Sequence, residues 1–408
     1  MRYGIVAEYN PFHSGHKYQI EQIRKKDPRA FITVIMSGYF CQRGEPAILS
    51  ARSRAEMALA CGADLILQLP TYAALGSAEI FAETAVLSLA KTGICENLVF
   101  GSESDNLENL EKIAQLLIVK QSALWQYIEP LLKDGVSYAK AREQFVAQML
   151  GTEIANLLTK PNQILAIEYL KAIRKHNLQI KPILIKREGA NYLAQDLSNK
   201  DLTLPSALAI RKLLHNKKKA FFNLEEIKLL KKTMPNKALA ILLRDWQNGS
   251  YVKESKLNSL CYLMLENTNQ AKTRYLDQPL LNRLKKEIRF SNENYPAIDK
   301  LVEATTTRQY PKTRIKRALC NMLLNLKDRE FEPLYLHVLG FNKDGRYLLK
   351  KMKENAKLPV ISNFSELQTI LEKSEFWQEE LELRASRFWL ELAEQPINQI
   401  FDSPLRIR

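Results

Sequence analysis

Cysteine, histidine and long apolar runs are scarce in this sequence. Among 408 residues there are five cysteines and five histidines, and no two cysteines have the Cys-x-x-Cys spacing that is typical of zinc and redox sites. We therefore expect reduced, mostly buried thiols, and neither a disulfide framework nor a zinc knuckle. No run approaches the roughly 18 apolar residues that span a bilayer, and the first apolar stretch ends by Glu8, too early for a secretory signal. The sequence predicts a cytoplasmic protein without a membrane partner.

Basic residues outnumber acidic residues mainly in one part of the chain. Residues 1–215 have 25 Lys and Arg against 21 Asp and Glu, and residues 216–360 have 30 against 15. Residues 361–408 have 5 against 9, and the formal net charge of the whole chain is +15. A basic middle segment is typical of a surface that binds a polyanion such as nucleic acid. Charge alone leaves open the alternative of ordinary solvated basic faces.

Short apolar runs alternate with helical periodicities in the first half of the chain. The predicted strands are residues 3–7, 31–36, 65–69, 98–100 and 180–186. Strands that alternate with helices of this length predict β-α-β units and a parallel sheet. We therefore expect a Rossmann-like α/β domain over residues 1–215.

Beyond residue 215 the periodicity is helical almost throughout. The predicted helices are residues 224–232, 237–246, 257–265, 280–288, 298–304 and 315–326. Two short strands, 334–340 and 358–361, are predicted around a helix at 343–357. Residues 216–408 are therefore expected to form a second, basic and mainly helical part.

The segment GIVAEYNPFHSGH, from Gly4 to His16, carries the strongest chemical signal. A strand leads into a turn fixed by Pro11, and His-x-Gly-His then opens a helix. The N–H groups and positive dipole end of a helix N-terminus favour phosphate, and Gly15 leaves room for a nucleotide. His13 and His16 can donate to phosphate oxygens as charge builds during displacement at an α-phosphate. A solvent-facing pair and a two-histidine metal site are the alternatives, and we expect no metal bound by the protein because no third ligand lies near.

This motif at the end of a first strand resembles the signature of the nucleotidyltransferase superfamily, which includes class I aminoacyl-tRNA synthetases. The extended form resembles a narrower group, the bacterial tRNA(Met) cytidine acetate ligase family. Further blocks follow in that family's order: QRGEPA at 42–47, GADL at 62–65, SAE at 77–79, FGSE at 100–103, PNQILA at 161–166, KR at 186–187 and SALAIR at 206–211. Beyond these blocks the chain resembles the family only in being helical and basic. Ser14 stands where the family usually has Asn, at the variable position of the motif.

The resemblance implies an α/β nucleotidyltransferase domain that activates acetate with ATP to form acetyl-adenylate and pyrophosphate. The acetyl group would then pass to N4 of the wobble cytidine of elongator tRNA(Met), giving N4-acetylcytidine. His13 and His16 would be catalytic, and magnesium would accompany ATP, bound mainly through its phosphates. The ATP site would comprise Ala7, Glu8, Tyr9, Asn10, Pro11, Phe12, His13, Gly15, His16, Gly101, Asn162, Arg187 and Glu188.

The residues themselves leave alternatives open at several of these positions. Gly101 follows a predicted strand at the edge where open α/β sheets bind ligands, but an ordinary turn would also use glycine there. Asn162 stands at a helix start and could serve as its cap. Arg187 could hold a phosphate bidentately or be solvated. Arg43, in the polar loop 37–47, is a candidate partner for acetate or pyrophosphate.

The basic helical part is the candidate surface for the tRNA backbone. Its candidate residues are Lys217, Lys218, Lys219, Lys285, Lys286, Arg289, Arg314 and Arg317. Two other functions remain open: an adenylyltransferase acting on a small phosphorylated metabolite, and an RNA-binding protein without catalysis. The long basic extension disfavours the first, and the intact His-x-Gly-His motif disfavours the second.

Overall fold

The computed structural model describes residues 1–103, 106–186, 207–215, 221–289 and 297–407. Its strands are β1 Arg2–Ala7, β2 Phe31–Ser37, β3 Phe40–Cys41, β4 Glu45–Pro46, β5 Leu65–Leu69, β6 Asn97–Ser102, β7 Lys181–Lys186, β8 Leu336–Phe341, β9 Val360–Ile361 and β10 Leu405–Arg406. The predicted strands at 3–7, 31–36, 65–69, 98–100 and 180–186 are thereby confirmed.

The helices surround this sheet and continue beyond it. They are α1 Ser14–Lys26, α2 Ala51–Ala60, α3 Thr71–Ala74, α4 Ala78–Lys91, α5 Leu107–Val119, α6 Gln121–Lys133, α7 Tyr138–Leu150, α8 Thr152–Ala155, α9 Pro161–Lys175, α10 Ala207–His215, α11 Leu224–Thr233, α12 Asn236–Gln247, α13 Glu254–Asn267, α14 Gln278–Arg289, α15 Ile298–Thr305, α16 Lys312–Leu323, α17 Lys343–Asn355 and α18 Phe376–Ala393. Short 3-10 turns occupy Asn156–Thr159, Phe364–Thr369, Lys373–Glu375 and Ile397–Phe401.

The main sheet of the described chain has the strand order β10-β8-β5-β2-β1-β6-β7, and β9 pairs with β8. Strands β5, β2, β1, β6 and β7 are mutually parallel, as the sequence predicts. From β1 the chain adds β2 and β5 on one side and β6 and β7 on the other, so the order reverses at β1. Such a reversal opens a crevice at the carboxyl ends of the strands, where α/β sheets bind ligands.

Strand β8 pairs antiparallel with β5, and β10 runs parallel to β8. The sheet therefore takes strands from both sides of the boundary predicted at residue 215. The mainly helical character expected after residue 215 is confirmed, but the chain returns to the sheet after α16. A division of function between 1–215 and 216–408 stays a prediction.

Alternate side chains of a strand pack into two apolar cores on opposite faces of the sheet, as the two-residue period of a strand requires. Leu65 and Leu67 of β5 pack with α4, α5 and α9. Ile66 packs on the other face with α1, α2 and α12. A separate apolar cluster joins α13 to α16, with Tyr262 and Ile315 fully buried. The helical part therefore has a core of its own beside the sheet.

Candidate active site

A cavity of about 450 Å³ lies at the carboxyl ends of β1, β6 and β7. It is lined by Val6, Ala7, Glu8, Tyr9, Asn10, His13, Gly15, His16, Tyr18, Gln19, Gln42, Arg43, Ala78, Phe81, Phe100, Gly101, Pro161, Asn162, Ile164, Leu165, Tyr169, Ile185, Lys186, Ala207, Leu208, Arg211, Thr313 and Arg317. The strand order reverses at this point, so the sheet topology itself forms the cleft.

His13 and His16 form the first turn of α1 and bond to its backbone. His13 is the N-cap, and its Nδ1 accepts the Gly15 N–H at 3.0 Å. The His16 Nδ1 accepts the His13 N–H at 3.2 Å. The rings stack with centroids 3.7 Å apart. Because both Nδ1 atoms are acceptors, the ring hydrogen of each neutral histidine is on Nε2, which makes that atom a donor.

Gly15 is required by the position of the His13 ring. A Cβ at this residue would lie 2.9 Å from the His13 Cε1 and 3.1 Å from its Nδ1. A larger residue would therefore displace the ring that caps the helix. Gly15 therefore leaves room for the His13 ring as well as for a ligand in the cavity.

The turn between β1 and α1 is fixed by polar contacts of Asn10. Its Oδ1 accepts the Ile48 N–H at 2.8 Å, and its carbonyl accepts the Arg211 Nη1 at 2.7 Å. The other arm of the Arg211 guanidinium pairs with Glu45 at 2.9 Å. Arg211, from α10, therefore joins the His-x-Gly-His turn to the hairpin of β3 and β4 while lining the cavity.

Behind this turn lies Arg54 of α2, whose side chain is fully buried. It donates to the carbonyls of Leu49 (3.2 Å), Glu8 (2.6 Å) and Ser37 (3.0 Å), and also to that of Gly38. Glu8 follows β1 and Ser37 ends β2, so one guanidinium holds both strand ends. Burial lowers the pKa of this guanidinium. Arg54 has no signal in the sequence, because a buried arginine has no local signature.

Glu8 faces the cavity, and its carboxylate accepts the Gln42 N–H. Burial raises the pKa of the Glu8 carboxyl, and the Gln42 N–H and the Arg211 charge oppose that rise. The same cavity is lined by four cationic residues, Arg43, Lys186, Arg211 and Arg317. Basic residues thus outnumber acidic ones around the cavity, which suits an anionic ligand.

Gly101 of β6 and Asn162 of α9 also line the cavity. The N-cap of α9 is Lys160, not Asn162, so the capping alternative for this asparagine does not hold. Its Nδ2 instead donates to the Glu103 carboxylate, just after β6. Asn162 therefore ties the start of α9 to the end of β6 at the cavity.

The helical part contributes Thr313 and Arg317 of α16 to the wall. The loop of the β3–β4 hairpin packs on this helix, because Gly44, with a φ of 76°, lies against its backbone. A Cβ on Gly44 would be 2.3 Å from the Arg317 amide nitrogen. Only glycine permits this contact, which brings Gln42 and Arg43 beside α16.

Two members of the predicted ATP site do not line the cavity. Pro11 and Phe12 are buried behind it. The Phe12 ring packs against Tyr9 and His16, with centroids 4.8 and 5.5 Å away. Both residues support the turn. Arg187 and Glu188, together with Lys217, Lys218 and Lys219, lie outside the described residues.

The remaining described candidates for the tRNA surface lie on α14 and α16. Lys286 and Arg289 are exposed on α14, and the Lys285 Nζ lies 3.3 Å from the Glu266 carbonyl. Arg314 pairs with Asp277 at 3.0 Å. Arg317, predicted from its charge to bind tRNA, lines the cavity, and its contact with tRNA stays a prediction.

Three absences concern only the described residues. They contain no group of three His, Cys, Asp or Glu side chains that could hold a metal ion. No helix among them is long and apolar enough to cross a membrane. The five cysteines, all within the described ranges, are unpaired thiols, of which Cys41, Cys261 and Cys320 are buried.

Several cavity residues were not predicted from the sequence. Tyr169 and Phe81 contribute to its apolar wall, and Thr313 comes from a helix more than 290 residues after the motif. Burial raises the pKa of the Tyr169 phenol. The only signal in the sequence for Tyr169 is its position, two turns after Asn162 on the same predicted helix.

Comparisons with known proteins agree with this geometry. The HIGH Nucleotidyl Transferase family matches residues 1–402. The tRNA(Met) cytidine acetate ligase of Acetivibrio thermocellus is 33% identical over 89% of this chain and 88% of its own length. That of Caldanaerobacter subterraneus subsp. tengcongensis is 34% identical over 93% and 92%. Crystal structures of Thermotoga maritima TmcAL, at 28% identity, cover 100% of this chain and 99% of their own, with a TM-score of 0.87 without ligand and 0.85 with alpha-thio ATP.

Proposed function

Because this chain belongs to the HIGH Nucleotidyl Transferase family and, within it, to the tRNA(Met) cytidine acetate ligases, we propose that it uses ATP and acetate to acetylate tRNA(Met). The product is N4-acetylcytidine at the wobble position of the elongator tRNA. The observation that carries this proposal is the histidine pair at the N-terminus of α1, placed in a cationic cavity where the strand order reverses.

In the first step an oxygen of acetate attacks the α-phosphorus of ATP. An oxygen–phosphorus bond to acetate forms, the bond to the β-phosphate oxygen breaks, and pyrophosphate leaves. The Nε2 donors of His13 and His16 stabilise the charge that develops on the phosphate oxygens. Both rings are held by backbone bonds before the substrate arrives, so little reorganisation is required during the reaction.

In the second step the N4 amine of cytidine attacks the acetyl carbonyl carbon of acetyl-adenylate. A carbon–nitrogen bond forms, AMP leaves, and the amine loses a proton. The wobble base must leave the anticodon stack to reach the cavity, as is usual for proteins that read single-stranded RNA. Lys285, Lys286 and Arg289 of α14, with Arg314, are proposed contacts for the tRNA backbone.

Magnesium is proposed to accompany ATP. The described residues contain no cluster of metal-ligating side chains, so the ion would be held mainly by phosphate oxygens and water. It would neutralise phosphate charge. The cytoplasm is the proposed location, since tRNA is the acceptor and the five thiols are unpaired.

The alternative of adenylyl transfer to a small phosphorylated metabolite is not favoured. The two relatives named above are acetate ligases, and they match about nine-tenths of this chain, including its helical part. A small acceptor would give no reason for the basic excess of residues 216–360.

The test is acetylation of an unmodified elongator tRNA(Met) transcript with ATP and isotopically labelled acetate. Nuclease digestion and mass spectrometry should find one labelled N4-acetylcytidine at the wobble position. A transcript with uridine at that position is the matched control and should take up no label. Label that depends on ATP but is found in the control RNA would contradict the assigned acceptor.

A further inference from the structure

Arg317 is a cation of the cavity wall that comes from the helical part. It lies on α16, one turn after Thr313, and both residues line the cavity. Its backbone is held against the β3–β4 hairpin by the close contact with Gly44. Gln42 and Arg43, which precede that glycine, line the same cavity. Arg317 is therefore fixed where the two parts of the protein meet around the candidate ATP site.

Within the part of the chain that the structure describes, the Arg317 guanidinium has no hydrogen bond and no carboxylate partner. Its Nε is buried and unpartnered, and burial, together with the charges of Arg274 and Arg314, lowers the pKa of this guanidinium. Other arginines nearby are compensated: Arg211 pairs with Glu45, and Arg314 pairs with Asp277. A half-buried charge without a partner is costly unless a ligand compensates it.

A column of alternating rings and guanidinium groups supports Arg317. Its Cζ lies 5.3 Å from the centroid of the Tyr275 ring. On Arg274, the Cζ lies 4.8 Å from that same ring and 4.2 Å from the Tyr72 ring. Tyr72 and Arg274 are buried, and the Arg274 Nη1 donates to the Tyr72 carbonyl at 2.9 Å. The column therefore runs from the core to the cavity wall and orients Arg317 through cation–π contacts.

Tyr275 occupies this position at a conformational cost. Its φ is 65°, in the left-handed region that non-glycine residues rarely adopt. The neighbouring Arg274 N–H donates to the Leu326 carbonyl at 2.8 Å, which fixes the backbone there. The strained backbone of Tyr275 therefore places its ring against Arg317.

We propose that Arg317 binds a phosphate group of a substrate in the cavity. A guanidinium matches phosphate with two parallel N–H···O bonds, and no carboxylate of the described residues pairs with that of Arg317. The phosphate belongs either to ATP or to the RNA backbone near the acetylated base. The RNA source rests on the proposed function, whereas the ATP source requires only nucleotide binding.

The experiment compares R317Q and R317K with the wild type and with R387Q, which changes an exposed arginine of α18. Binding of ATP is measured by calorimetry, and binding of a tRNA(Met) transcript by filter retention, both on the full chain. R317Q should weaken binding of the phosphate source about 10- to 100-fold, the range for a hydrogen-bonded charge. R317K should recover part of that loss, and R387Q should match the wild type.

The ATP-binding and tRNA-binding measurements together identify which substrate supplies the phosphate. Weaker ATP binding with unchanged RNA affinity assigns the contact to ATP, and the reverse assigns it to the RNA backbone. If R317Q and R317K bind both ligands within about twofold of the wild type, the proposal is wrong. A wild-type protein that binds ATP through Arg317 but acetylates no tRNA would overturn the proposed function and leave this inference standing.

Discussion

His13 and His16 are bonded to the same turn of backbone, so that each ring is oriented by α1 itself. The Nδ1 of His13 accepts the Gly15 N–H, and that of His16 accepts the N–H of His13. This reciprocal arrangement is a capping box in which histidine takes both polar positions. The capping contacts use the Nδ1 atoms of both side chains, and the proposed chemical role uses the other ring nitrogens.

The two roles of His13 can be separated by substitution. H13N keeps a side-chain acceptor at the N-cap but lacks the Nε2 donor, whereas H13A lacks both. We expect H13N to unfold near the wild-type temperature and H13A to lose about 1 kcal/mol of stability, the typical value of an N-cap. Acetyl-adenylate formation should fall by about a hundredfold or more in both variants, as when a donor to a developing charge is removed.

Thermal denaturation and the rate of pyrophosphate release from ATP in the presence of acetate are the two readouts. The account is contradicted if H13N retains near wild-type activity, because the cap alone would then explain the histidine.

Arg54 should be essential for stability, although it does not line the cavity. R54Q removes a buried charge and leaves the carbonyls at the ends of β1 and β2 without their donor. We expect a loss of about 3 to 5 kcal/mol in the free energy of unfolding, measured in urea. The matched control is R52Q on the same helix, where the exposed Arg52 donates to the Ser403 carbonyl. That control should change stability by no more than about 0.5 kcal/mol, and equal losses in the two variants would refute the role given to Arg54.

A buried pair of titratable groups predicts opposing effects of pH on stability. Gln68 bonds to both: its Oε1 lies 3.1 Å from the His337 Nδ1, and its Nε2 donates to Glu382 at 2.8 Å. Burial raises the pKa of Glu382 from 4.5 to about 7 and lowers the pKa of His337 from 6.5 to about 4. Between pH 4.5 and 6.5 the native state retains the Glu382 proton that the unfolded state releases, so this group lowers stability as pH rises. His337 has the opposite effect, because the unfolded state holds a proton that the native state lacks.

Single variants should separate the effects of Glu382 and His337 on the pH dependence of stability. In E382Q only the His337 effect remains, so stability should rise between pH 4.5 and 6.5 more steeply than in the wild type, by about 1.4 kcal/mol per pH unit. In H337Q the slope should change by a similar amount in the opposite direction. Urea unfolding at several pH values measures both, and parallel profiles for the three proteins would show that neither group titrates in this way.

The exposed cations of α14 should contribute to RNA affinity through charge. In the double variant K286Q/R289Q, binding to a tRNA(Met) transcript should weaken at low salt. The slope of log K against log salt should become shallower by about one unit or more, since each lost phosphate contact removes about 0.7 to 0.9. The matched control, K350Q/K353Q, changes two exposed lysines of α17. Equal slopes of log K against log salt in the two double variants would show that α14 does not contact the RNA.

The parts of the fold that were predictable are those whose signal is local. The strand before Asn10, the helix opened by His13 and the parallel order of the first strands follow from short periodicities and one motif. The antiparallel entry of β8 was not predictable, because its partner β5 lies about 270 residues earlier and no local pattern specifies that register. The burial of Arg54 and the place of Arg317 in the cavity wall were missed for a related reason: sequence shows that an arginine is charged, but not what surrounds it.

The central claim is that the cavity joins acetate to the α-phosphate of ATP, and ATP–pyrophosphate exchange tests it most directly. Exchange by the wild-type protein should require acetate, be slower with formate or propionate, and fall to background in H16A. That result would establish acetyl-adenylate chemistry at the histidine pair before any RNA is added. Exchange that proceeds without a carboxylate, or that is absent with every carboxylate even when tRNA is present, would contradict the account.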